Sequence, residues 1–219
     1  MTRMPSAGLW SVALVLGLSA LGCNPGGVGD PCTPEDEYQQ NFSGFQVTET
    51  NVESRSFQCE TRLCLVNHFQ GRVSCRLGQD TQVDANGVPL ATGAYKPVCS
   101  IPGTKPNPND PTSADNVNVK VSAQLVERQT DKAVYCSCRC DGPDKKAKYC
   151  DCPEGFECAP LVDDLHITPN AGQLAGSYCI RTGSRYNPNA DSSETCASSP
   201  TKCGCGGANP PAECGVAAK

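Results

Sequence analysis

The chain predicts a mainly β, small disulfide-rich fold: short antiparallel strands and hairpins, long irregular loops, and little helix apart from the N-terminus. Three observations predict it. Of 219 residues, 17 are cysteine, and glycine (21) and proline (18) are frequent. Aromatic residues make up only 5%, so the apolar core is thin, and chains that bury little apolar area compensate with covalent staples. After residue 22, apolar residues recur with period two in several short runs and nowhere with a sustained helical period.

The N-terminus reads separately from the rest. Arg3 gives a short basic start, and Leu9 to Leu21 is almost wholly apolar. That run is shorter than the roughly 20 apolar residues a spanning helix needs, and its length and flanks are those of a signal peptide over 1–22. It ends in Ser19-Ala20-Leu21-Gly22-Cys23, which resembles the lipobox of bacterial lipoproteins in its relaxed form. The resemblance implies that Cys23 takes a diacylglycerol and becomes the mature N-terminus; the rival is an ordinary signal peptide cleaved after Ala20 or Gly22. A single acyl chain holds a protein to a bilayer only marginally, whereas two or three hold it stably. Asn24 stands where inner-membrane lipoproteins often carry Asp, which implies the outer membrane. The Gly/Pro-rich stretch from Asn24 to Pro31 reads as a flexible spacer, so 23–44 is expected to be a lipidated tether.

The cysteine count bears on the same residue. An odd total in an exported chain calls for one free or modified thiol. With Cys23 set aside, sixteen remain as disulfide candidates: Cys32, Cys59, Cys64, Cys75, Cys99, Cys136, Cys138, Cys140, Cys150, Cys152, Cys158, Cys179, Cys196, Cys203, Cys205 and Cys214. In Cys136-Ser137-Cys138-Arg139-Cys140, side chains two apart on a strand share a face with nearly parallel Cβ vectors, so each is expected to reach a different segment. Most of these bridges are expected to run to 150–179. Cys59, Cys64, Cys75 and Cys99 staple the preceding part, and the last four tie a C-terminal lobe.

Along the chain, 45–52 and 62–67 read as strands. The proline-rich 78–115 reads as loop, with a hairpin turn at Asn86-Gly87. Val117 to Leu125 is the cleanest period-two run and Ala133 to Cys140 the next, which suggests an antiparallel pair turning near Gln129–Lys132. Ser177 to Arg181 is a late short strand, and Gln173–Gly176 has room for one helical turn. These give a disulfide-stapled β-rich domain over 45–183 and an irregular cysteine-containing lobe over 184–219.

The formal net charge is -5. Without residues 1–22, which lose only Arg3, 17 basic side chains face 23 acidic ones. A mildly acidic chain lacks the electrostatic footprint of nucleic-acid binding and a polybasic stretch for an anionic bilayer. Cys150-Asp151-Cys152-Pro153-Glu154-Gly155-Phe156-Glu157-Cys158 resembles the second half of an epidermal-growth-factor-like module over nine residues, and reads at minimum as a β-turn device. The Cys-x-Cys spacings also suit thiolate binding of zinc or copper(I), which an oxidising compartment disfavours. His68 and His166 sit in no recognisable motif. Asp84-x-Asn86-Gly87 lacks the acidic closing residue of a calcium loop. Asp163-Asp164 and Lys145-Lys146-x-Lys148 read as solvated charge.

The lipobox, the Gly29-Asp30-Pro31-Cys32 start and the many cysteines together resemble the cysteine-rich exported lipoproteins of myxobacteria and their relatives. That resemblance implies an address and a style of construction. The leading expectation is a non-enzymatic lipoprotein, with no cofactor, no metal and no catalytic residue, attached to the membrane through Cys23 and presenting its domain to an unknown protein or envelope partner. A thiol-based metal or redox protein is the alternative, and a secreted protease inhibitor with its loop in 102–111 a further one.

Overall fold

The computed structural model describes residues 25–79, 99–105, 113–163, 174–188, 194–206 and 209–214. The signal-peptide stretch, Cys23, Asn24, Asp84, Asn86-Gly87, Asp164, His166, Gln173 and most of 102–111 lie outside the described residues.

Six strands and one short helix carry the fold: β1 (Thr50–Glu53), β2 (Leu63–Asn67), α1 (Thr130–Ala133), β3 (Val134–Ser137), β4 (Arg139–Asp141), β5 (Phe156–Val162) and β6 (Gly176–Arg181). They form two antiparallel three-stranded sheets, in the orders β1-β2-β3 and β4-β6-β5. The expected mainly β, disulfide-rich class is what the chain adopts. β3 and β4 are one extended run interrupted at Cys138, so the chain steps from the first sheet to the second there. The Cys179 amide donates to the Cys138 carbonyl at 3.0 Å, and Ser137 Oγ donates to the Cys179 carbonyl at 2.8 Å.

β2 is the middle strand of the first sheet and both its faces are covered. Leu65 lies opposite Tyr135 of β3, and both pack with Ala159, Tyr178 and Ile180 of the second sheet. Cys64 and Val66 point the other way, toward Cys32, Phe45, Phe69 and Val134. A run without alternation is what a strand buried on both faces requires.

The outer cover of that face comes from the N-terminal segment, and this corrects the flexible tether expected over 23–44 for its described part, residues 25–44. The Gly29 amide donates to the Cys136 carbonyl at 2.8 Å, and the Cys136 amide donates to the Asp30 carbonyl at 2.8 Å. Gly29 has φ +98°, and a Cβ there would meet the Phe156 ring at 2.7 Å. Its glycine therefore serves a close approach and a left-handed backbone rather than slack. Cys32 and Phe45 are 2% exposed.

Within this cover sits a buried ion pair. Glu37 and Arg72 side chains are both 0% exposed, with Arg72 Nε 3.4 Å from Glu37 Oε2. Arg72 also donates to the carbonyls of Phe42 (2.8 Å), Gln39 (3.1 Å) and Glu37. Glu37 accepts from the Val73 amide (2.8 Å), the Ser74 amide (3.2 Å) and Ser74 Oγ (2.7 Å). Burial pushes the Glu37 carboxyl up from its ordinary range, opposed first by Arg72 and then by the Ser74 and Val73 hydrogen bonds.

The run Val117–Leu125 is not a ladder strand, nor does it pair with 133–140. Val117 and Val121 are buried, which explains the periodicity, but only isolated bridges occur there, at Ser100–Asn116, Gln79–Val121 and Leu125–Thr195. Side-chain amides replace a partner strand. Gln79 Nε2 donates to the carbonyls of Val117 and Val119, at 2.9 and 2.5 Å, Gln70 Nε2 to Ala123 at 2.7 Å, and Gln40 Nε2 to Asn116 at 3.0 Å. The turn expected near Gln129–Lys132 is α1 instead, and β3 pairs with β2. Of the stretch with room for a helical turn, Gly176 already opens β6. β5 has no counterpart among the expected strands: Pro160 interrupts its run, and Phe156–Val162 lacks a clean alternation.

Replacing Arg72 by Met leaves the Glu37 carboxylate buried without its cation. Chemical denaturation at neutral pH is expected to show a loss of about 3–5 kcal/mol, the usual result of breaking one side of a buried pair. Removing the guanidinium raises the folded-state pKa of Glu37 further above its unfolded value. The folded variant then holds a proton that the unfolded chain releases, so its deficit shrinks as pH falls through that interval. A deficit that is the same in acid as at neutral pH would contradict this account.

Candidate functional site

All sixteen cysteines from Cys32 onward are paired. The bridges are Cys32–Cys64, Cys59–Cys136, Cys75–Cys99, Cys138–Cys150, Cys140–Cys158, Cys152–Cys179, Cys196–Cys203 and Cys205–Cys214. Cys136, Cys138 and Cys140 bond three different cysteines, which lie in two segments. Cys138 and Cys140 run to the 150–158 stretch, whereas Cys136 turns back to Cys59. The last four cysteines close two bridges within the C-terminal lobe, and that lobe docks on the rest: Cys196 and Cys203 pack with Val126 and Leu77, and the Arg76 amide donates to the Glu213 carbonyl at 2.5 Å.

Two of the bridges stack. Cys179 Sγ lies 3.6 Å from Cys138 Sγ and 3.7 Å from Cys150 Sγ. Three sets of three sulfurs converge in this way: Cys32, Cys59 and Cys136; Cys138, Cys150 and Cys179; Cys140, Cys152 and Cys158. Each set draws its sulfurs from two neighbouring disulfides, so the convergence follows from stacked bridges.

The Pro153–Phe156 segment is the β-turn its sequence suggests. The Phe156 amide donates to the Pro153 carbonyl at 3.1 Å, with Gly155 at φ +82° in the position where a type II turn needs a left-handed residue. It delivers Phe156 into β5.

The candidate polar groups hold structural positions. The His68 ring stacks on Tyr186 with centroids 4.4 Å apart, and its Nδ1 lies 2.9 Å from the Val47 carbonyl. Lys145 pairs with Asp141 at 3.3 Å on the surface. A cleft lined by Arg128, Lys132, Arg181 and Arg185 gathers positive charge, but its guanidinium groups have protein partners. Arg128 donates to the carbonyls of Asn67 (2.7 Å) and His68 (2.6 Å), Arg181 to Gly29 (3.0 Å), and Arg185 pairs with Glu157 at 3.0 Å.

The feature that sequence reasoning missed lies beside the entry of the chain. The loop from Ser56 to Arg62 connects β1 to β2. The Gly26 amide donates to the Gln58 carbonyl at 2.7 Å, and the Glu60 amide to the Gly26 carbonyl at 2.9 Å. Phe57, in this loop, is 81% exposed, more than Tyr38 (51%) or Leu174 (36%), the other large apolar side chains exposed among the described residues. The Arg62 guanidinium lies 4.0 Å from the Phe57 ring centroid. In the sequence a lone Phe between Ser56 and Gln58 carries no sign of whether it is buried.

Among the described residues no helix is long and apolar enough to cross a membrane. No family model matches the chain, and no curated protein or solved structure is significantly similar to it.

Loop length ranks the bridges. Cys59–Cys136 spans a separation of 77 residues and Cys196–Cys203 only 7. Chain-entropy arguments assign them about 4.5 and about 2.4 kcal/mol. Paired alanine substitutions at Cys59 and Cys136 are therefore expected to lower the unfolding free energy more than paired substitutions at Cys196 and Cys203, as read from denaturant midpoints. The reverse order would show that closure of the long loop is not what the first bridge contributes.

Proposed function

We propose that this is a lipoprotein of the bacterial outer membrane, held by acylated Cys23, that presents a rigid disulfide-stapled β domain for binding or envelope assembly and performs no catalysis of its own. Eight disulfides are the construction of an exported protein. The observation that carries the finer reading is the complete pairing of every cysteine after residue 23. It leaves Cys23 as the odd one, at the end of an apolar leader and in a lipobox-like context. The resemblance to the cysteine-rich lipoproteins of myxobacteria supports the same reading. The domain is built as a presenting scaffold: covalently closed at each end and covered by its own N-terminal segment.

The converging sulfur sets favour a second reading, a thiol-based metal or redox protein whose bridges open to give thiolates. The two readings differ in the state of the sulfurs in the native envelope. Intact mass of the membrane-extracted protein, with and without alkylation and without reductant, is expected to show residues 23–219 plus two or three acyl chains and no alkylated thiol. Four or more alkylated thiols would transfer the weight to the second reading. Cys23→Ser is expected to move the protein wholly into the soluble fraction with an unchanged melting curve; retention on membranes would refute the anchor.

A further inference from the structure

We infer that the Ser56–Arg62 loop is the bilayer contact of the anchored protein, with the Phe57 ring seated at the boundary of headgroups and acyl chains and the Arg62 guanidinium on lipid phosphate. The inference rests on the acylation of Cys23 proposed above.

Reach is the first support. Three residue steps join Cys23 to Gly26, so their Cα atoms lie within about 11 Å of each other. Gly26 is itself hydrogen-bonded on both sides to the loop, at Gln58 and Glu60. A lipid on Cys23 therefore enters the bilayer beside this loop. The domain is not held at the end of a long leash, and one face must lie against the headgroups.

The loop is held in shape by backbone hydrogen bonds and by a disulfide. The Arg62 amide donates to the Cys59 carbonyl at 2.9 Å, and the Ser56 amide to the Arg62 carbonyl at 3.1 Å. Cys59 is bonded to Cys136 in the middle of the domain. Arg62 has φ +64°, a left-handed backbone that side chains other than glycine seldom adopt. Such conformations persist where surrounding bonds impose them, and they concentrate at functional positions. Here it sets the guanidinium against the Phe57 ring.

Chemistry selects the occupant. An aromatic ring beside a cation matches the interface of a bilayer, where apolar and phosphate layers lie a few ångströms apart. Arginine keeps its stem in the apolar layer and binds phosphate bidentately. Arg62 in the loop and Arg55 just before it stand against Glu60, all exposed, in a chain that is acidic as a whole. A protein partner would need a far larger contiguous patch than one ring supplies.

The mature chain offers a clean reporter, because its single tryptophan, Trp10, lies in the leader. The acylated Phe57→Trp protein, reconstituted into phospholipid vesicles, is expected to emit at shorter wavelength than residues 24–219 carrying Phe57→Trp, produced without the leader and free in solution. Quenching by aqueous iodide is expected to fall several-fold, and bromines near the headgroup end of the acyl chains are expected to quench the indole. Arg62→Gly, which keeps the left-handed backbone and removes the cation, should reduce that bromine quenching; unchanged quenching removes Arg62 from the contact. Vesicles that float with the protein while the introduced indole stays open to iodide would overturn the inference and leave the anchor standing. Protein that fails to float would remove both. Shielding in native membranes but not in pure lipid would overturn the lipid contact and assign the loop to a protein partner instead.

Discussion

Both sheets are organised by facing cysteines that do not bond each other. Cys64 of β2 lies directly opposite Cys136 of β3, and Cys158 of β5 directly opposite Cys179 of β6. Opposite residues share a sheet face at close range, so each pair could have closed on itself and pinned nothing else. Instead each member reaches outward. Cys64 and Cys136 hold Cys32 and Cys59, and Cys158 and Cys179 hold Cys140 and Cys152. Four of the eight bridges thus radiate from two points: three tie Cys32, Cys59 and Cys152 of flanking segments to the sheets, and Cys140–Cys158 ties the two edge strands β4 and β5 to each other across β6. The step at Cys138, bonded to Cys150, joins the two points along one strand.

The same residues supply the core. Cys32, Cys59, Cys64 and Cys136 are buried together with Phe45, Val66, Phe69 and Val134, and Cys75 and Cys99 with Val117 and Val121. A disulfide buried this way does two jobs: it removes apolar surface from water, and it limits the freedom of the unfolded chain. A chain with 5% aromatic residues can build two sheets from strands of three to seven residues because its staples and its packing are the same atoms. The C-terminal lobe extends the logic, since two short bridges give an irregular segment enough shape to dock on Leu77 and Val126.

What could be read from the sequence follows from which forces leave a periodic trace. β2 and β6 were legible because β-branched and apolar residues cluster there. That Cys136, Cys138 and Cys140 do not bond one another was legible from their parallel Cβ vectors, but the Cys59–Cys136 bridge departs from the expected grouping, because a contact 77 positions apart leaves no local trace. The Val117–Leu125 run misled because alternation reports burial, whereas a strand also requires a partner backbone. Here the partners are the amides of Gln79, Gln70 and Gln40, 38, 53 and 76 positions away in the chain, whose role no local pattern reveals. Glu37 and Arg72 were illegible for the opposite reason: charged residues read as surface, and their burial depends on carbonyls and amides that only the folded cover brings to them. Phe57 carries no local sign of its burial and is the most exposed of the large apolar side chains described.

The N-terminal segment changes meaning most. Gly26, Gly27 and Gly29 read as slack, yet Gly26 is bridged to Cys59 and Gly29 fits against Phe156 where no other residue would. Glycine is selected at such positions for close approach as well as for freedom, and composition alone does not separate the two. The consequence is mechanical. A lipid on a loose tether leaves a domain free to tumble above a membrane. If Cys23 carries the lipid proposed above, the anchor precedes by three residues a Gly26 backbone bonded to Gln58 and Glu60, and by six a Gly29 bonded to Cys136, so that anchor would act directly on the first sheet. On that proposal the anchor end of the fold sets which surface faces outward, and the N-terminal segment that the anchor precedes is also the cover of the core.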